Sequence, residues 1–293
     1  MKKKIRSGWF WSILAGVLLF VGAYYASTIG RPAPIPITQE LHDGVVYHRV
    51  VHYLPHSMIA HIIVIDRKKE DVKFIVTPAD DVEEGTIRAR TTSAFLEEFN
   101  VQIAINGDGF FPWWSHSLVD YYPHSGDPVT PKGFSAAFGT VYADGLGDET
   151  LEPTLFISRR NELTFNLPPN KIYHAISGDR MLVIGGEIVD GLHDTVLHPR
   201  TAIGVNRNGR YVILAVVDGR QPFYSNGATF QELARLMKDF GAHYAMALDG
   251  GGSSAMVIEG QDGGSLVLNS PIDNYIPGRE RPVANHLGIQ ITW

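Results

Sequence analysis

Apolar positions along this chain follow three different rhythms. Trp9–Ile29 carries no charged side chain, and an apolar run of about 20 residues is long enough to cross a bilayer as a helix. Beyond residue 40 the rhythm shortens. Val45–Tyr53 alternates apolar and polar residues, and Met58–Asp66 and Val72–Thr77 are β-branched runs, the signatures of strands. Further strands are expected at Val101–Ile105, Ser135–Tyr142, Leu155–Ser158, Arg180–Ile184, Thr201–Val205, Tyr211–Val217 and Ala245–Leu248. A hairpin follows at Ala255–Glu259 and Ser265–Asn269, and a closing strand at Leu287–Trp293. Helical spacing is confined to Thr91–Phe99 and Phe230–Phe240. In the second, Thr229 and Glu232 form a capping box ahead of an apolar face of Leu233, Leu236, Met237 and Phe240. Many strands and few helices predict a single α+β domain with a large mixed β-sheet, preceded by a transmembrane helix.

The ends of the chain refine this division. Lys2, Lys3, Lys4 and Arg6 precede the apolar run. Basic flanks stay on the cytoplasmic side, so an uncleaved anchor puts the remainder outside; a cleaved signal peptide is the alternative, giving a secreted protein. The expected organisation is an anchor over residues 1–30, a proline-alternating linker over 31–40 and one domain over 41–293. The chain has no cysteine, so an exported domain of this size is held by core burial without disulfides.

Charge narrows the partners. The chain has 25 Lys+Arg and 31 Asp+Glu; setting aside the four basic groups of the first thirty residues leaves a formal net of −10. Such a surface argues against a nucleic-acid partner. An anionic ligand would need a locally basic pocket.

Candidate chemistry gathers where apolar strands end. Asp249-Gly250-Gly251-Gly252-Ser253-Ser254 follows a strand, with glycines that expose the backbone and amides able to form an anion nest. His198-Pro199-Arg200-Thr201 places a forked guanidinium at a strand entrance, and His198 suits proton transfer. Asp218-Gly219-Arg220 repeats the pattern of strand, acid and glycine, so Asp218 and Asp249 form a candidate pair of carboxylates for glycosyl transfer. The long segment 110–133 collects Phe110, Phe111, Trp113, Trp114, Tyr121 and Tyr122. Its aromatic faces can stack on sugar rings or fold back into a small core of their own. His48, His52 and His56 are spaced four apart, but a strand and Pro55 deny them a common helical face.

Taken together, HPRTAIGV, VVDGRQPFYSNGATFQELA, LDGGGSSAM and RPVANHLGI, in that order downstream of Asn106-Gly107, resemble the phosphodiester glycosidases, typified by N-acetylglucosamine-1-phosphodiester α-N-acetylglucosaminidase. The resemblance covers roughly residues 103–293. It implies hydrolysis of a sugar–phosphodiester or related glycosidic linkage, here in envelope or extracellular polysaccharide. It points to Asn106, Arg200, Thr201, Asp218, Gly219, Arg220, Asp249, Gly250, Gly251, Gly252 and Ser253 as site residues. In the expected mechanism Arg200 and the Gly250–Gly252 amides bind the leaving group. One of Asp218 and Asp249 supports the transition state and the other handles a proton. Arg281 and Asn285 in the last motif, and Trp113 and Trp114, are expected at the substrate. The chain departs from the family pattern by inserting Asp108 after Asn106-Gly107, which adds a carboxylate for a sugar hydroxyl or a cation. No cofactor is expected for the hydrolase reading, with a divalent cation as the alternative. A metal-dependent phosphodiesterase using Asp108, Asp218 and Asp249, or a non-catalytic carbohydrate-binding or assembly protein, stays open at this level.

Overall fold

A computed structural model describes residues 5–29, 31–69, 71–80, 87–145, 152–192 and 195–292. The organising strand is Tyr211–Val217, which is apolar on both faces. Val212, Leu214 and Val216 point into one buried cluster, and Ile213, Ala215 and Val217 into another. Side chains alternate between the faces of a strand, so an uninterrupted apolar run has to be covered on both. Tyr211–Val217 pairs antiparallel with Met58–Asp66 on one side and Arg200–Val205 on the other. The resulting eight-stranded sheet continues outward through Val45–His52 to Ile37–His42 at one edge. At the other edge it continues through Tyr244–Ala247 and Arg180–Ile184 to Glu187–Ile188. The edge strand Ile37–His42 begins inside the segment expected as linker.

Helix Phe230–Asp239 covers one face, entered through the expected capping box, with both the Thr229 and the Glu232 bonds made. Leu233, Ala234 and Met237 sit against Ala202, Ala215 and Ala245. Small residues on the sheet let the helix approach closely. The opposite face meets a five-stranded sheet in the order Ser265–Val267, Met256–Glu259, Ile103–Asn106, His286–Thr292 and Asp71–Val76. Here Ile203, Leu214 and Val216 share a core with Phe74, Ile105, Leu287 and Ile289. A further five-stranded sheet contains Leu163–Phe165 and His174–Ser177, two strands too short to announce themselves by alternation. Strands dominate and there are three α-helices among the described residues, as the α+β expectation requires.

The first helix, Ile5–Ile29, stands apart from the sheets. Its Trp9–Ala26 stretch has a mean hydropathy of 1.6 and is unburied, and among the described residues it alone is long and apolar enough to cross a membrane.

Candidate active site

The two facing sheets are stitched together at one end, and the site is built on the stitch. Register places Arg200 opposite Val217, Ala202 opposite Ala247 and His286 opposite Asn106. The ends of strands from both layers therefore meet. Asn106 is fully buried there. Its Nδ2 donates to the Asp249 carbonyl at 2.8 Å, while its Oδ1 accepts from Thr201 Oγ1 at 2.7 Å and the Ala255 amide at 3.2 Å. The Asp249 amide donates to the Gly107 carbonyl at 2.9 Å. Asn106 and Thr201 thus brace the turn that follows and do not face solvent.

That turn forms the floor of a cleft of about 330 Å³ lined by Asp249, Gly250, Gly251, Gly252, Arg200, Arg220, Arg281, His198, Lys132, Asp179, Trp113, Phe110, Gly109 and Leu248. The glycines are needed sterically. Gly251 has φ +65°, and a Cβ there would come within 3.0 Å of Arg220 Nη2; a Cβ at Gly252 would collide with the Arg281 guanidinium. Only a bare backbone lets two guanidinium groups lie directly over the turn.

Each arginine is held in place by neighbouring groups. Arg200 Nε donates to the Ala228 carbonyl at 3.0 Å, and its Cζ lies 3.6 Å from the Phe230 ring centroid. Arg220, itself at φ +57°, reaches His198 Nδ1 through Nη2 at 3.0 Å. Arg281 Nε donates to Asp273 Oδ1 at 2.8 Å, and its Cζ stands 4.8 Å from the Trp113 ring centroid. Three oriented guanidiniums with Lys132 outnumber the two lining carboxylates, Asp249 and Asp179. A locally basic pocket therefore exists within a net-acidic protein. Planar forks suit the oxygens of a phosphate.

Asp249 is the carboxylate at the centre of this ring. Burial raises its pKa, while a hydrogen bond from Ser253 and the charge of Arg281 oppose the rise. Asp108 lies behind it. Burial, reinforced by the Glu152 carboxylate, pushes Asp108 up to about 8. Its oxygens accept from the Gly109 and Gly133 amides, both at 2.7 Å, and its own amide donates to Asn285 Oδ1 at 2.8 Å. Asn285 is fully buried and also donates to Ser135. Asp108 and Asn285 fix the loop beside the cleft and are not among its lining residues.

The expected carboxylate pair and the expected backbone nest change as well. Asp218 does not share the cavity with Asp249. It is 1 % exposed. Its Oδ2 accepts from His61 Nε2 at 3.0 Å and Tyr224 Oη at 3.2 Å; its Oδ1 accepts from Asn269 Nδ2 at 3.2 Å and the Ser270 amide at 2.7 Å. The chain reverses tightly at Gly219, against His198, Pro199 and Gly227. That reversal turns Arg220 into the cleft and leaves Asp218 beneath it. The glycine amides, too, are largely spent on the turn. Gly250 N donates to Asp249 Oδ1 and Gly251 N to the Pro199 carbonyl, each at 2.9 Å. Anion binding therefore falls to the guanidiniums rather than to a backbone nest.

The remaining candidates divide. Arg200, Arg220, Arg281, Trp113, Asp249 and Gly250–Gly252 meet in the cleft. Ser253 is buried under it, accepting from Arg281 Nη1 at 3.4 Å. Trp114 is outside the lining, stacked between His116 and Tyr122, so the aromatic segment is partly a small cluster of its own. Asp108, Asp218 and Asp249 are dispersed, and among the described residues no three His, Asp or Glu side chains converge as metal donors. Lys132 and Asp179 were missed. Lys132 closes the aromatic segment and Asp179 precedes a strand after Gly178, but nothing local to either says that it faces Asp249.

A basic cleft around one desolvated carboxylate, floored by a glycine turn, is an anion-binding site with a group able to move a proton. The phosphodiester glycosidase family profile matches residues 99–290, so this chain belongs to the phosphodiester glycosidase family, a family of glycosidase-type hydrolases. Its fold is similar to the catalytic domain of zebrafish N-acetylglucosamine-1-phosphodiester α-N-acetylglucosaminidase auto-inhibited by its pro-peptide, with a TM-score of 0.60 at 20% identity over 88% of this chain and 84% of that one. It is also similar to a hypothetical protein of Synechocystis, with a TM-score of 0.59 at 13% identity over 89% of this chain and 64% of that one. In sequence, 94 residues are 39% identical to the SPbeta prophage-derived uncharacterized protein YomE of Bacillus subtilis. That match takes in 32% of this chain and only 13% of that relative's length.

Proposed function

We propose that this protein hydrolyses the bond between a sugar's anomeric carbon and phosphate in a sugar-1-phosphodiester, on the extracytoplasmic side of the membrane that its first helix crosses. The observation that carries this reading is the convergence of Arg200, Arg220 and Arg281 on the glycine turn that presents Asp249. The guanidiniums hold the phosphate and stabilise the charge that gathers on it as the bond breaks. Water attacks the anomeric carbon; its oxygen forms the new bond and the C–O bond to phosphate breaks. The phosphate monoester leaves as an anion and needs no proton. Asp249 takes the proton from water, and a carboxylate whose pKa is raised by burial is a stronger base than an exposed one. Trp113, half exposed at the rim, offers a face to the sugar ring. Lys2, Lys3, Lys4 and Arg6 ahead of the apolar stretch favour a cytoplasmic N-terminus and hence an external domain.

The test is release of reducing sugar from a panel of sugar-1-phosphodiesters by the full-length protein. Asp249→Asn is expected to lower kcat by roughly 10²–10⁴-fold, the usual contribution of a positioned proton-transfer group. Turnover of that variant within a few-fold of the parent would remove Asp249 from the chemistry.

A further inference from the structure

The three loops that carry the cleft's rim also carry the exposed apolar tips of the domain. The 218–226 loop places Arg220 in the cleft and leaves Phe223, at φ +66°, 72% exposed. The 272–281 loop carries Arg281 and the tip Tyr275, 68% exposed. The 110–122 segment carries Trp113 and then Leu118 and Val119, of which Val119 is 88% exposed. A soluble surface gains nothing from large apolar side chains at three neighbouring tips, and such patches mark interaction sites.

What meets these tips is the outer end of the first helix. Phe20, Val21, Tyr24 and Tyr25 face Leu118 and Asn274–Pro277 across a shared apolar crevice, and the Tyr25 ring lies 6.2 Å from that of Phe223. Those helix residues belong to the last turns of the Trp9–Ala26 apolar stretch. In a membrane-crossing helix, aromatic residues at the end of the span sit at headgroup depth. Loops that touch them sit at the same depth. Arg31, just past the helix, holds the arrangement: its Nη1 donates to Gln221 at 2.8 Å and Ser270 at 2.9 Å, and its Cζ lies 5.1 Å from the Tyr224 ring centroid. Gln221 and Tyr224 flank Phe223 on the loop that supplies Arg220.

We infer that the cleft opens against the membrane, with Phe223, Tyr275, Leu118 and Val119 resting in the outer headgroup layer, and that the substrate is a lipid: a sugar joined through its anomeric phosphodiester to a long-chain alcohol anchored in that leaflet. The inference rests on the hydrolase reading above and names its substrate class. The bond changes are those already given, with the lipid keeping its phosphate in the bilayer while the sugar leaves into water.

The full chain, reconstituted in phosphatidylcholine–phosphatidylglycerol vesicles, is offered glucose, galactose and N-acetylglucosamine 1-phosphates in two forms. One is esterified to phytanol and embedded in the vesicles; the other is esterified to methanol and free in solution. For at least one sugar the phytanyl ester is expected to be cleaved at least tenfold faster at equal total concentration. Phe223→Ser and Val119→Ser change exposed side chains, so both variants fold. Each is expected to slow the phytanyl ester several-fold to tenfold, as loss of one buried apolar side chain from the interface implies, while cleavage of the methyl ester stays within twofold. Equal rates for the two esters, or variants that slow both alike, would overturn the membrane-facing cleft and leave the hydrolase reading standing. Failure to cleave either ester of any sugar would overturn the hydrolase reading, and the lipid substrate with it.

Discussion

Asp218 and Asp249 occupy the same sequence context, an apolar strand followed by Asp-Gly, and have opposite fates. Asp249 borders a cleft, whereas four donors saturate Asp218 beneath it. A buried carboxylate with that many donors is a strut. Replacing Asp218 by Asn puts an amide donor where only acceptors fit and strands His61 and Tyr224. We expect Asp218→Asn to destabilise the domain by about 3 kcal/mol, read as a lower midpoint in urea. Turnover per folded molecule should remain well above that of Asp249→Asn; equal losses would return Asp218 to the chemistry. Arg281 illustrates a different residue-scale point. It touches Ser253, Asp273 and the Trp113 face together. A lysine cannot reproduce a planar fork that stacks and donates at once. Arg281→Lys is therefore expected to raise KM by about tenfold or more, the cost of one charge-assisted contact, in initial-rate kinetics.

Among the elements, the helix Phe230–Asp239 matters beyond its length. Phe230 at its start lies under the Arg200 guanidinium, so helix entry and arginine placement are one structural event. The capping box that opens it is complete. Thr229→Ala removes the side-chain acceptor for the Glu232 amide and should cost about 1 kcal/mol, seen as a small drop in the thermal midpoint. A fall in substrate affinity should accompany it, because Phe230 loses its fixed position. The glycine turn and the capping box were both legible because each is a local device with a fixed spacing. The short strands Leu163–Phe165 and His174–Ser177 were not, since three or four residues hold too few alternations to be distinguished from loop.

At the scale of the whole molecule, two histidines couple stability to pH. His286 is fully buried beside Phe95 and His174 lies in the smaller sheet. Burial pushes their pKa values down to about 3 and about 4. Both groups are neutral in the folded state across this range, whereas the unfolded chain binds protons near pH 6.5. The stability these two groups supply is therefore fully present above pH 6.5 and is lost as pH falls from there toward 4 and then 3. Each histidine contributes up to about 1.4 kcal/mol per pH unit. Asp108, raised to about 8, acts in the opposite direction over the same interval, so the histidine contribution is read as a difference: in thermal unfolding from pH 8 to pH 4 the midpoint of the parent should fall relative to that of His286→Gln below pH 6.5. A difference between parent and variant that stays constant from pH 6.5 to 4 would contradict this account.

What the sequence by itself determined is everything that repeats or is adjacent. It set the membrane-length helix, the strands long enough to alternate, the capped helix, the DGGGSS turn and the four ordered motifs of the family. These depend on neighbours along the chain, and spacing reports neighbours. Only the tertiary structure decided which strand-end acid faces solvent, that the amides of Gly250 and Gly251 are already bonded to Asp249 and Pro199, and that Lys132 and Asp179 join the cleft. Those outcomes depend on which way the chain reverses after each strand and on what lies across the interface between two sheets. That contact, made between residues about 100 to 180 positions apart, leaves no periodic trace in either segment.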